Sequence, residues 1–271
     1  MEKLIKIGRV FFGIGIIALG IHQLIIKKFR SEILAPFPAW ANNNSIFPIL
    51  IGLAFIVTGI IISGIFKIKF IDTKKVCLYL GFAFLASVLA SHLPYMIMLS
   101  AEKTPDFQVW INALEALTYS GGAFVMAGSF IENSSGGEKN FTSFLEKLIP
   151  CGRVFYSILM IVFGLSHFFF ASFIATLVPK WLPAPMFWTY FFGAALVIAG
   201  LFIIFKILIK PIGLLLAFML LLFFLFFHIP DAVANPSAGG GNEIVRALIC
   251  LLFCGIALVI ALTNDCKREV S

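Results

Sequence analysis

The sequence predicts an all-α, polytopic membrane protein of about eight transmembrane helices, arranged as two tandem four-helix bundles. Three observations carry that prediction. The chain is 61% apolar and only 12% charged, with a mean hydropathy of +1.06, whereas a soluble domain needs about a quarter of its residues charged to cover its surface. Its apolar residues fall into stretches of the roughly 20 residues that span a bilayer. A motif from the first half returns in the second.

The spans, in order, are 7–26, 46–66, 76–99, 109–131, 149–173, 186–208, 211–229 and 243–263. Unpaired backbone groups are too costly in lipid for anything but helices or closed barrels. A barrel strand alternates apolar and polar residues; the run from Leu214 to Phe227 is continuously apolar, so helices are expected. The first span follows Lys3, Lys6 and Arg9 as a secretory signal would, yet it runs into Lys27, Lys28 and Arg30 without a small-x-small site.

Gly8-Arg-Val-Phe-Phe-Gly-Ile recurs as Gly152-Arg-Val-Phe-Tyr-Ser-Ile, and seven of sixteen positions match between 8–23 and 152–167. Gly52 and Gly59 correspond to Gly193 and Gly200, His92-Leu-Pro to His228-Ile-Pro, and the segment 122–127 to 255–260, which sets Glu115 against Leu248. The chain thus divides into a first unit at 1–131, a cytoplasmic linker at 132–147 and a second unit at 148–271. With four helices each, the two units run parallel, related by an axis along the membrane normal. The glycines recur seven residues apart, on one helix face, where they let a neighbouring backbone approach.

Fourteen Lys and Arg residues fall on the side of the termini and six on the other (Lys27, Lys28, Arg30, Lys103, Lys180, Arg246). Both termini are therefore expected in the cytoplasm, and the net charge of +7 is topological. The basic residues are spread over loops with no binding module, which excludes nucleic acid as a partner; the lipid bilayer is the partner the composition implies. Trp40, Trp110, Trp181 and Trp188 fall at the outer boundary, as an aromatic belt would, and segments 31–42 and 174–185 are expected along that interface.

Ionisable residues within a membrane segment are functional candidates. His22, His92, His167 and His228 each come late in an outward-running helix, Glu115 lies one to two turns into the fourth helix from the same side, and Asp231 and Arg246 flank the last two. These seven form a predicted outer-leaflet polar layer, with Glu115 the deepest acid. No HExxH or CxxC ligand pair exists, so no metal site is expected. Cys250 and Cys254, four apart at mid-membrane, read as small hydrophobes. Arg9 and Arg153 open the first and fifth helices and are expected to reach lipid phosphates.

Gly-Arg-Val-Phe, Gly164-Leu-Ser-His-Phe, Leu177-Val-Pro-Lys-Trp, Phe187-Trp-Thr-Tyr-Phe-Phe-Gly-Ala-Ala-Leu and His228-Ile-Pro together resemble the DoxX-like family of bacterial membrane proteins; Leu114-Glu-Ala-Leu-Thr-Tyr-Ser-Gly-Gly-Ala is close to its last-helix pattern. The resemblance implies a four-helix membrane bundle per unit in a bacterial inner membrane, and links to thiosulfate:quinone oxidoreduction and oxidative-stress complexes. Three functions stay open: an accessory subunit for a redox or stress-response partner, with no cofactor evident; a quinone-linked oxidoreductase; and a small-molecule or ion transporter.

Overall fold

The computed structural model describes residues 1–66, 70–101, 106–130 and 141–266. Lys67, Lys69, Lys103, Lys139, Lys267 and Arg268 of the charge count, and residues 132–140 of the expected linker, lie outside them. Among the described residues there is no strand, and eight long helices carry the fold: α1 (Glu2–Ile26), α2 (Ile46–Ser63), α3 (Thr73–Ala101), α4 (Phe107–Gly128), α5 (Gly152–Phe169), α6 (Pro185–Ile204), α7 (Ile209–Ala234) and α8 (Asn242–Cys266).

Seven of these helical stretches are long and apolar enough to cross a membrane. The exception is α4, whose 22 residues include Gln108, Asn112, Glu115, Thr118, Tyr119 and Ser120. Its polar residues are tolerated because the helix is enclosed by others: Ala116 and every residue from Thr118 to Ala127 are buried. Ser120 Oγ donates to the Gly81 carbonyl of α3 at 2.7 Å. The protein is a polytopic helical membrane protein.

Local signals set the helix ends. Asp72 caps α3 by accepting from the Lys75 N–H, and Asp106 caps α4 by accepting from Gln108. The α2 helix stops at Gly64, whose φ of +64° suits glycine. Part of the expected linker is itself folded. A short helix, Phe141–Glu146, leans on α3 through buried Leu145, a Lys74–Glu146 ion pair and a stack of Phe141 on Tyr79.

The helices pack antiparallel as a ring. The α1 helix lies against α2 and α8, α4 against α3 and α5, α5 against α6, and α7 against α8; α2 meets α3, and α6 meets α7, only lightly. The two sets of four are therefore not separate bundles. The first helix of each packs on the last helix of the other.

Glycine permits those close approaches. A Cβ on Gly13 would lie 2.5 Å from the Gly59 carbonyl oxygen, and one on Gly164 2.6 Å from that of Gly193. Across the exchanged contacts, Gly8 meets Gly255 as Gly152 meets Gly121. This pairing sets Gly121, not Gly122, opposite Gly255 in the comparison of halves, which moves the counterpart of Glu115 from Leu248 to Ile249.

Arg9 and Arg153 turn inward rather than to lipid phosphates. Arg9 donates from Nε to Ser129 Oγ at 2.8 Å and also to the Ser129 carbonyl, its guanidinium 3.7 Å above the Phe130 ring. Arg153 donates to the carbonyls of Ile203 and Ile204 at 2.7 and 2.8 Å. Arg9 satisfies the Ser129 carbonyl just past the end of α4, and Arg153 the last two carbonyls of α6, where a helix leaves its acceptors without intrahelical partners.

Candidate functional site

At the end of the bundle opposite the termini, a cavity of about 1250 Å³ opens among α4, α5, α6, α7 and α8, with the end of α1 at its edge. Six of the seven predicted site residues line it: His22, Glu115, His167, His228, Asp231 and Arg246. The seventh, His92, does not. It is buried in α3, its Nε2 without a hydrogen-bond partner among the described residues.

The cavity lies inside the second set of four helices for a packing reason. In the first set, Phe55 stacks on Phe84 at 5.2 Å and Phe84 meets the tilted ring of Tyr119 at 5.3 Å, which fills the equivalent space. Counting from Gly193, His228 and Gly255, the matching residues are Leu196, Leu220 and Phe253, and all three line the cavity. Two rings have become leucines.

The loops differ in the same sense. Ile33 and Ala35 are buried beside α3, where Ser87 Oγ donates to the Ile33 carbonyl and Ser91 Oγ to that of Phe37. At the corresponding places in α7 stand Phe223 and Phe227, which cannot hold a loop this way and instead face the cavity. The short helix Ala171–Leu177 and the turn after it border the cavity through Ile174, Leu177 and Trp181.

Two residues that sequence reasoning missed complete the polar end. Arg30 and Glu32 are both buried, and Arg30 Nε donates to Glu32 Oε1. Arg30 also donates to His22 Nδ1 at 2.6 Å, and His22 Nε2 lies 3.1 Å from the Gly239 carbonyl oxygen. Because a carbonyl only accepts, Nε2 carries the proton, and both nitrogens of His22 are committed. Arg246 donates to Glu243 at 3.1 Å, and Asn235 to Asp231 at 2.9 Å.

Glu115 makes no hydrogen bond or ion pair among the described residues. His228 likewise has no hydrogen-bond partner there. His167 is held at Nδ1, 2.7 Å from the Phe163 carbonyl oxygen. Below this end the wall is apolar: Met160, Leu196, Leu220, Phe223, Phe253 and the Cys250 side chain. Cys250 and Cys254 donate from Sγ to the Leu220 and Ala217 carbonyls at 3.3 and 3.1 Å, joining α8 to α7. Among the described residues, no group of three or more His, Cys, Asp or Glu is arranged to hold a metal ion.

The fold and the cavity define a class: a multi-pass helical membrane protein whose helices enclose a cavity with a polar end and an apolar body. The DoxX family model matches residues 148–229, from just before α5 to the His228-Ile-Pro turn, so the DoxX-like resemblance is shown over three of the helices that wall the cavity. No curated protein and no solved structure matches the chain.

Proposed function

We propose that this DoxX-like membrane protein holds a quinone-class molecule in its cavity and serves, as a membrane subunit, a redox or stress-response partner. The observation that carries the reading is the division of one cavity into an apolar body and an end bearing Glu115 and His228, neither hydrogen-bonded among the described residues, and His167, held at Nδ1 only. Small-molecule sites are mostly apolar with a few convergent polar groups, and this cavity is large enough for an aromatic ring with part of a tail. Glu115, His167 and His228 would hold the ring oxygens, while Phe223, Leu220 and Met160 would line its body. The quinone would supply two-electron redox chemistry in the membrane.

The charge distribution supports both termini in the cytoplasm and the cavity at the outer face of a bacterial inner membrane. The matching glycine contacts in the two halves support an origin by duplication. Reporter fusions at the two termini test the orientation, and recovery of a stable partner from mild detergent tests the accessory role.

Trp181 lines the cavity, so binding is measurable by quenching of its fluorescence with menadione, with Trp181→Phe separating its signal from the other tryptophans. Saturable quenching lost in Trp181→Phe, together with quinone in solvent extracts of the purified protein, is the expected result. Absence of both quinone from the extract and saturable quenching would sink the reading.

A further inference from the structure

Gly-Arg-Val-Phe stands near the start of α1 and of α5, yet its two arginines are spent differently. Arg153 donates twice from Nη1, to the Ile203 and Ile204 carbonyls, and so lies over the end of α6. Counting from Gly52 against Gly193, the matching carbonyls are those of Ile62 and Ser63 at the end of α2. Arg9 turns elsewhere. The α4 helix stops at Gly128, which leaves the Ser129 carbonyl free to draw Arg9, whereas the matching Thr263 still lies within α8.

Between the starts of α1 and α3 and the end of α2 there is a hollow of about 540 Å³, at the end of the bundle opposite the cavity. Lys6 and Arg9 line it with Ile61, Ile62, Ile71 and Phe130, and no acid is among the described residues that do. Ser129 takes one hydrogen from Nε and one from Nη2 of Arg9, while Phe130 covers a face of the guanidinium. Two of its five N–H groups are thereby used. The remaining three, on Nη1 and Nη2, have no hydrogen-bond partner among the described residues. They form the second edge of a planar fork, a geometry that matches two oxygens of one phosphate. Lys6 meets Glu2 at 3.3 Å with both side chains largely exposed, a contact too weak to keep the ammonium from a better anion.

We infer that this hollow is a binding site for a phosphate-bearing anion, held between the Nη1–Nη2 edge of Arg9 and the Lys6 ammonium over an apolar floor of Ile62, Ile71 and Phe130. Arg9 keeps its bonds to Ser129; the anion comes to the guanidinium rather than the side chain reaching out. Basic pockets between the ends of membrane helices take phospholipid headgroups, and the same chemistry suits a free phosphate. The hollow shares no lining residue with the cavity, so the inference stands apart from the quinone reading.

The test titrates the detergent-solubilised protein with dioleoylphosphatidylglycerol, with dioleoylglycerol, which lacks the phosphate, and with inorganic phosphate. Bound molecules are counted by native mass spectrometry and folding is followed by thermal unfolding. Phosphatidylglycerol is expected to bind at least about tenfold tighter than dioleoylglycerol. Lys6→Gln is expected to weaken it about fivefold, and Arg9→Lys, which keeps the charge but loses the fork, about tenfold. Arg153→Lys, whose Nη1 hydrogens are already spent on α6, is expected to leave it unchanged. If Arg9→Lys does not fold, Lys6→Gln decides alone, since that side chain is exposed. Inorganic phosphate bound with the same dependence on Lys6 and Arg9, without a preference between the two lipids, upholds the site and assigns it to a soluble anion. Equal binding of the two lipids with no phosphate bound overturns the inference. So does a preference for phosphatidylglycerol that survives in every folded variant, or one lost equally in Arg153→Lys.

Discussion

Gly121 and Gly152 face each other across α4 and α5 so closely that a Cβ on either would lie 2.6 Å from the other's carbonyl oxygen. The atoms in the way are backbone, and no side-chain rotation relieves them. Gly121→Val and Gly152→Val are expected to destabilise by about 3 kcal/mol, a cost typical of overpacked interiors, measured by thermal unfolding in detergent. Gly64→Ala, where nothing lies within 4 Å and only the φ of +64° is strained, is expected to cost about 1–2 kcal/mol.

The buried Arg30–Glu32 pair gives a different signature. Removing one partner leaves a buried charge uncompensated, so Glu32→Leu alone is expected to cost about 3–5 kcal/mol. The double substitution Arg30→Met with Glu32→Leu is expected to cost less than either single change, because apolar groups can occupy the space without desolvation. A double-mutant cycle on thermal stability checks this. Additive losses would mean that the pair is held by solvent and not by the bundle.

Among the described residues, Glu115 has no hydrogen-bond or ion-pair partner to lose. Glu115→Gln is therefore expected to leave the melting temperature unchanged or raise it by about 2–4 °C, while weakening menadione binding severalfold. A large drop in melting temperature would show that the carboxylate is structural.

Leu220→Phe restores at the second cavity the ring that Phe84 supplies in the first half. It is expected to weaken quinone-class ligands at least about tenfold, by analogy with the pocket steric limits that set specificity. The melting temperature is expected to hold or rise, since filling a void is a stabilising change. Binding and thermal unfolding on one preparation decide the matter.

The helices were legible because hydrocarbon leaves so few options: long apolar runs such as 211–229 dictate α7 almost by themselves. The depth of His22, His167 and His228 was legible too, since helical rise converts sequence position into height. Facing was not. His92 shares the depth of His228, yet it is buried in α3, away from the cavity, beside a loop whose path only tertiary packing decides. Arg30 and Glu32 carried no signal, because two charges in a short loop read as topology until the fold buries them together. The cavity itself rests on Leu196 and Leu220 replacing rings, a difference of volume between two equally apolar patterns. Polarity patterning does not record volume.

The antiparallel packing of α1 on α8 brings the start of α1 and the end of α8 to the same side as neighbours. The chain is thus a loop of helices with one covalent connection missing. Joining Glu2 to Cys266 through a short spacer and cutting between Phe130 and Phe141 would keep every interhelical contact while reversing the order in which the halves are synthesised. Neither half, made alone, could complete its own interior: α1 would lack α8, and α5 would lack α4. The halves are inseparable in space even though they are consecutive in sequence.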